Sequence, residues 1–150
     1  MPESILGFLV CSTKRRFKVG AWGTGVYDND AAADWTADLA LDGLSAVRAA
    51  LVGVAEAGYI EAPEGAAAVA AADVVARLRS GGGERSAYCA DVVSWVDQNP
   101  SKPSVELVAA ARAAIGSVRG DGSELAELWA ESDEFEAWHT TLDEVQGRLS

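Results

Sequence analysis

Apolar positions recur at helical spacing along most of the chain, and turn-forming residues cut the pattern into segments. Asp28, Asn29 or Asp30 caps a first helix running to about Leu41, because a short side-chain oxygen satisfies the free N–H groups of the first turn. Gly43 breaks it. Leu44, Val47, Leu51 and Val54 share one face of a second helix, about Leu44 to Ala57, with Gly58 as its stop. Pro63 suits the first turn of a third, about Pro63 to Arg79, whose many alanines favour the helical state and let a neighbour come close.

Gly81, Gly82 and Gly83 read as a flexible loop. Beyond them, Tyr88, Val92, Trp95 and Val96 align on one helical face until Asn99-Pro100. Pro103 or Ser104 opens a helix reaching about Val118, with Val105, Val108, Ala111, Ala114, Ile115 and Val118 as its apolar side. Gly120 and Gly122 precede Ser123, which caps a short helix carrying Leu125, Leu128 and Trp129. Ser132 or Asp133 caps a last one carrying Phe135, Trp138, Leu142, Val145 and Leu149. Period-two alternation is nowhere sustained, so strand is limited to a short extension around Phe17 to Trp22. These segments predict an all-α fold, a compact array of six to seven short helices in one domain over residues 19–150.

Charge sets the first residues apart. Lys14, Arg15, Arg16 and Lys18 face only Glu3, whereas residues 19–150 hold 8 Lys and Arg against 22 Asp and Glu, a net charge of −14. Residues 1–18 therefore read either as a disordered extension or as the result of a translation start placed too early, with Val19 as the true first residue. The acidic body repels phosphate backbones, which argues against nucleic acid as a partner, and attracts a basic protein or a cation. Solubility alone also accounts for such a surface. The apolar run Ile5 to Cys11 falls far short of the roughly 20 residues of a membrane helix, and its basic residues follow it, unlike those of a secretory signal. The expectation is a cytoplasmic protein without membrane contact. Cys11 and Cys89 form no Cys-x-x-Cys pair, so neither a disulfide framework nor a zinc knuckle is indicated.

The densest motif is Gly20-Ala21-Trp22-Gly23-Thr24-Gly25, followed by Val26-Tyr27-Asp28-Asn29-Asp30. Val26-Tyr27 stand where a phosphate loop needs Lys and Ser or Thr, and Asp28 replaces the third glycine of a dinucleotide fingerprint. What remains is a turn in which the glycines supply positive φ and Trp22 folds back as a plug over the first helix, or else a loop that lines a pocket. The run GAWGTGVYDNDAAADWTADL resembles the N-terminal signature of the bacterial proteins grouped as domain of unknown function 4259. The segment SELAELWAES, followed by Trp138, is similar to that family's C-terminal signature. The resemblance covers about residues 19–150 and implies a small helical domain with no established activity and no catalytic residues to carry over.

Asp30, Asp34, Asp38 and Asp42 recur every four residues, a solvated face or a cation's ligands. An EF-hand starting at Asp28 is excluded, since Ala33 holds the glycine position and Leu39 the bidentate one. His139, the single histidine, lies four residues before Asp143 and reads as an ordinary surface histidine or as a general base whose ring that carboxylate orients, and Cys89 reads as an inert buried thiol. Candidate binding residues are thus Trp22, Tyr27, Asp28, Asp30, Asp34 and Trp138, with no catalytic residue, metal site or cofactor assigned. The function expected is a non-enzymatic acidic module for a basic protein partner, of adaptor or neutraliser type. The alternatives are a metal-dependent enzyme using Asp28, Asp30 and Asp34, and a mimic of nucleic acid.

Overall fold

The computed structural model describes residues 23–150. The readings of residues 1–18, of an extension around Phe17 to Trp22, and of Trp22 as a plug lie outside the described residues. Seven α-helices occur among those described: α1 Asp30–Asp42, α2 Leu44–Glu56, α3 Ala62–Ser80, α4 Ala90–Gln98, α5 Val105–Val118, α6 Glu124–Ala130 and α7 Phe135–Leu149. No strand forms among them; an isolated parallel bridge joins Ile60 and Ser123. The all-helical fold expected from the periodicity is the fold observed.

Helix α3 is the axis of the molecule. It packs against α1, α2, α4, α5, α6 and α7, and its residues are buried almost without interruption from Gly65 to Arg77. A helix covered on all sides cannot be amphipathic, which is why its sequence shows no apolar stripe. Ala68, Ala70, Ala71, Ala72 and Ala76 are fully buried there, and their small side chains allow the surrounding helices to approach.

Asn29, Ser104 and Ser123 cap the helices that the sequence assigns to them. Asn29 is the residue chosen at α1, accepting from Ala32 N at 2.8 Å while its amide donates to Val26 O at 3.3 Å. Ser104 and Ser123 accept from Leu107 N and Ala126 N in the same way. Gly43, at φ 60°, ends α1 and starts α2 in one residue.

Several local expectations are corrected. Helix α2 ends at Glu56 with Ala57 as its cap in extended conformation, so Gly58 is not the stop. Neither Ser132 nor Asp133 caps α7, whose flanking residue is Glu134: Ser132 lies in the preceding turn, where its hydroxyl donates to Trp129 O and accepts from Glu134 N. Tyr88 belongs to a short 3₁₀ turn before α4 and is largely exposed, and Val105, at the first position of α5, faces out while Leu107 faces the core. Gly81, Gly82 and Gly83 all have positive φ, at 73°, 75° and 94°. They wrap two arginines: a Cβ on Gly83 would lie 2.7 Å from Arg77 Cζ, and one on Gly82 would lie 3.2 Å from Arg148 Cδ. Glycine is thus required here by shape, beyond its use as a flexible connector.

Candidate functional site

The glycine loop enters α1 through a turn that folds over its own aspartate. Asp28 accepts from Gly25 N at 3.1 Å, and Asp28 N donates to Gly25 O at 3.2 Å. Of Gly23 and Gly25, the latter is not in the left-handed region, contrary to the expectation of positive φ. Their need for glycine is steric: a Cβ on either would come within 2.7 Å of Asp28 Oδ2. Burial, with Glu84 in addition, raises the Asp28 carboxyl above its ordinary value, and the bond from Gly25 partly offsets this.

On one side of this loop opens a cleft of about 500 Å³. Its walls are Gly23–Val26 with Asp30 and Asp34 of α1, the start of α3 at Ala62, Pro63 and Ala66, and Glu124, Leu125 and Trp129 of α6. Trp138, Thr141 and Leu142 of α7 complete it. Trp129 and Trp138 are stacked, with centroids 6.1 Å apart and planes 14° from parallel. The α6 wall is latched to α3. Ile60 N donates to Gly122 O and Glu124 N to Ile60 O, each at 2.8 Å, while Glu124 Oε1 accepts from Ala62 N at 2.8 Å. Lysine, arginine and histidine are absent among the described residues lining the cleft. Asp30 and Asp34 have no ion pair among the described residues.

A second cavity, of about 320 Å³, shares Gly25, Val26 and Thr141 with the cleft and is lined by a buried polar group. Asp73 of α3, 1% exposed, accepts from Tyr27 Oη at 2.7 Å, from Arg77 Nε at 2.6 Å and from Arg148 Nη2 of α7. Tyr27 Oη also lies 3.3 Å from Ala70 O. Arg77 Nη2 donates to Glu84 O at 2.8 Å, and Arg148 Nε donates to Glu144 at 2.7 Å. One carboxylate therefore joins the glycine loop, α3 and α7, while Arg77 continues to the loop after α3. Burial, then the Asp73 charge, raises the Tyr27 phenol well above its usual value, so Tyr27 stays a neutral donor.

The candidate residues separate accordingly. Asp30, Asp34 and Trp138 meet at the cleft, Tyr27 is buried in the polar group, Asp28 is held under the loop beside Glu84, and Trp22 lies outside the described residues. Among the described residues, no group of three or more His, Cys, Asp or Glu side chains is placed to hold a metal ion. His139 is not oriented by Asp143. Arg119 stands between them, with Nη1 2.8 Å from Asp143 Oδ1 and Nη2 2.9 Å from His139 Nδ1. A guanidinium only donates, so in this contact His139 Nδ1 is the acceptor. Cys89 is fully buried, its thiol donating to Glu84 O at 3.0 Å.

Sequence reasoning missed Asp73, Arg77, Arg148 and Glu124. A signal existed for the first two: Asp73 and Arg77 are charged residues four apart in an otherwise alanine and valine stretch, the pattern of an internally paired helix. Nothing local points to Arg148 or Glu124.

The fold and the cleft define a small all-helical domain with an acidic, tryptophan-floored cleft. The family profile described as domain of unknown function (DUF4259) matches residues 20–141, and the chain belongs to that family. No curated protein and no solved structure matched the chain. Among the described residues, no helix is long and apolar enough to cross a membrane.

Proposed function

We propose that this protein is a non-enzymatic interaction module that takes a basic segment of a protein partner into the cleft between α1, α3, α6 and α7. The observation that carries it is the lining: Asp30, Asp34 and Glu124 on an apolar floor that includes Trp129 and Trp138, with no cationic side chain among the described residues there. Lysine and arginine have apolar stems and charged heads, the complement of such a surface. The volume, about 500 Å³, is within the usual range of binding pockets. The net charge of −14 over residues 19–150 draws a basic partner from a distance.

Calorimetric titration with a synthetic peptide alternating arginine and apolar residues tests the assignment. The expected result is saturable 1:1 binding, accompanied by a change in tryptophan fluorescence. Asp34→Asn with Glu124→Gln should weaken it by about tenfold or more, the loss expected when charged partners are neutralised. Glutamine at 124 keeps an oxygen for Ala62 N, so the α6 latch survives. Equal affinity in both proteins overturns the proposal. Binding seen only after Trp22→Ala would instead mark the cleft as a seat for this chain's own tryptophan.

A further inference from the structure

The cleft and the cavity share three lining residues, Gly25, Val26 and Thr141. The segment Gly23–Val26 therefore lines the cleft along its length and, at Gly25 and Val26, also borders the second space of about 320 Å³. Two of its four residues are glycine, and its one large apolar side chain, Val26, packs against the core. Its hydrogen bonds among the described residues are local: Gly25 with Asp28, and Val26 O with the Asn29 amide. Besides the packing of Val26 on the core, the hydrogen-bonded tie to another helix among the described residues is the next residue, Tyr27. That side chain is 1% exposed, and its phenol donates to Asp73, which Arg77 and Arg148 hold from two helices.

We propose that Gly23–Val26 is a movable wall of the cleft and that the Tyr27–Asp73 hydrogen bond sets its position, making Tyr27 a positioning residue that governs how bulky a side chain the cleft admits. A large anchor displaces the wall into the cavity behind it, whereas a small one leaves it in place. The buried group thus supplies selectivity without touching the occupant. This proposal rests on the cleft being the partner's seat.

Tyr27→Phe tests it mildly, because the ring stays buried and Asp73 keeps both arginines. Amide hydrogen exchange at Gly25 and Asp28 should accelerate by about tenfold relative to α3, as loss of one hydrogen bond to a carboxylate implies. An arginine-anchored peptide should bind more tightly to Tyr27→Phe than to wild type, while a peptide anchored by 2,3-diaminopropionate, a short cation, should be unaffected. Thr140→Leu provides the opposite perturbation, because Thr140 lines the cavity but not the cleft. Filling the space behind the wall should weaken the long anchor and spare the short one. The proposal is overturned if exchange at Gly25 and Asp28 changes only in step with α3, or if both variants treat the two peptides alike. If neither peptide binds wild-type protein, the cleft assignment fails, and the exchange measurement alone then decides whether Tyr27 holds the wall.

Discussion

Asp73 accepts from three donors in three different segments, so its worth lies in what its removal strands. Arg77 and Arg148 would both keep their charge in a largely covered site, and breaking a buried pair by deleting one partner typically costs about 3–5 kcal/mol. Asp73→Ala is expected to lose about that much in urea unfolding, against about 1.5 kcal/mol for Tyr27→Phe, which deletes one hydrogen bond to a carboxylate and leaves the charges paired. Asp28 gives a pH-dependent case. Burial first, then Glu84, raises its carboxyl above the ordinary 3.8. A raised acid holds its proton more tightly when folded, so its contribution to stability is present below 3.8 and lost as pH rises through the raised value. Asp28→Asn keeps an acceptor for Gly25 N and avoids that loss. The variant should be more stable than wild type at neutral pH, by less than about 1 kcal/mol because the group is half-exposed and screened. The difference should vanish in melts near pH 3, roughly below both values.

At the scale of the element, legibility followed how local the determining physics is. Caps such as Asn29, Ser104 and Ser123 act within three residues and could be read directly. Helix α7 begins at Phe135 rather than at a serine cap because Ser132 is already engaged with Trp129 O, a bond to a residue whose place depends on α6. For α3 the sequence showed composition but not position. Alanine favours helix on a surface and in a core alike, and only packing reveals that Ala71 is fully buried while Ala110 of α5 is exposed. Ala71→Leu should therefore cost about 1–3 kcal/mol through overpacking. Ala110→Leu should stay within about 0.5 kcal/mol, and thermal melts of the pair make the comparison.

For the molecule as a whole, charge was readable and the cleft was not. The cleft draws its lining from the glycine loop, α1, α3, α6 and α7, which are adjacent only after α3 has gathered the other helices around it. Asp30, Asp34 and Trp138 could be picked out by residue type, but Glu124 could not, since its role depends on the Ile60–Ser123 bridge that sets α6 against the start of α3. Charge acts at two ranges here. The net −14 over residues 19–150 is felt across a screening length, which falls from about 30 Å at 0.01 M salt to about 10 Å at 0.1 M. The carboxylates of the cleft would instead act at contact, where salt screens less. Raising salt over that interval should therefore mainly slow association of a basic peptide, while its dissociation rate changes little. Asp38→Asn with Asp42→Asn, on α1 but outside the cleft lining, should reproduce the slower association alone. Asp34→Asn with Glu124→Gln should speed dissociation. Stopped-flow mixing separates the two, and a peptide whose dissociation responds equally to both pairs of substitutions would be held by the general acidic surface and not by the cleft.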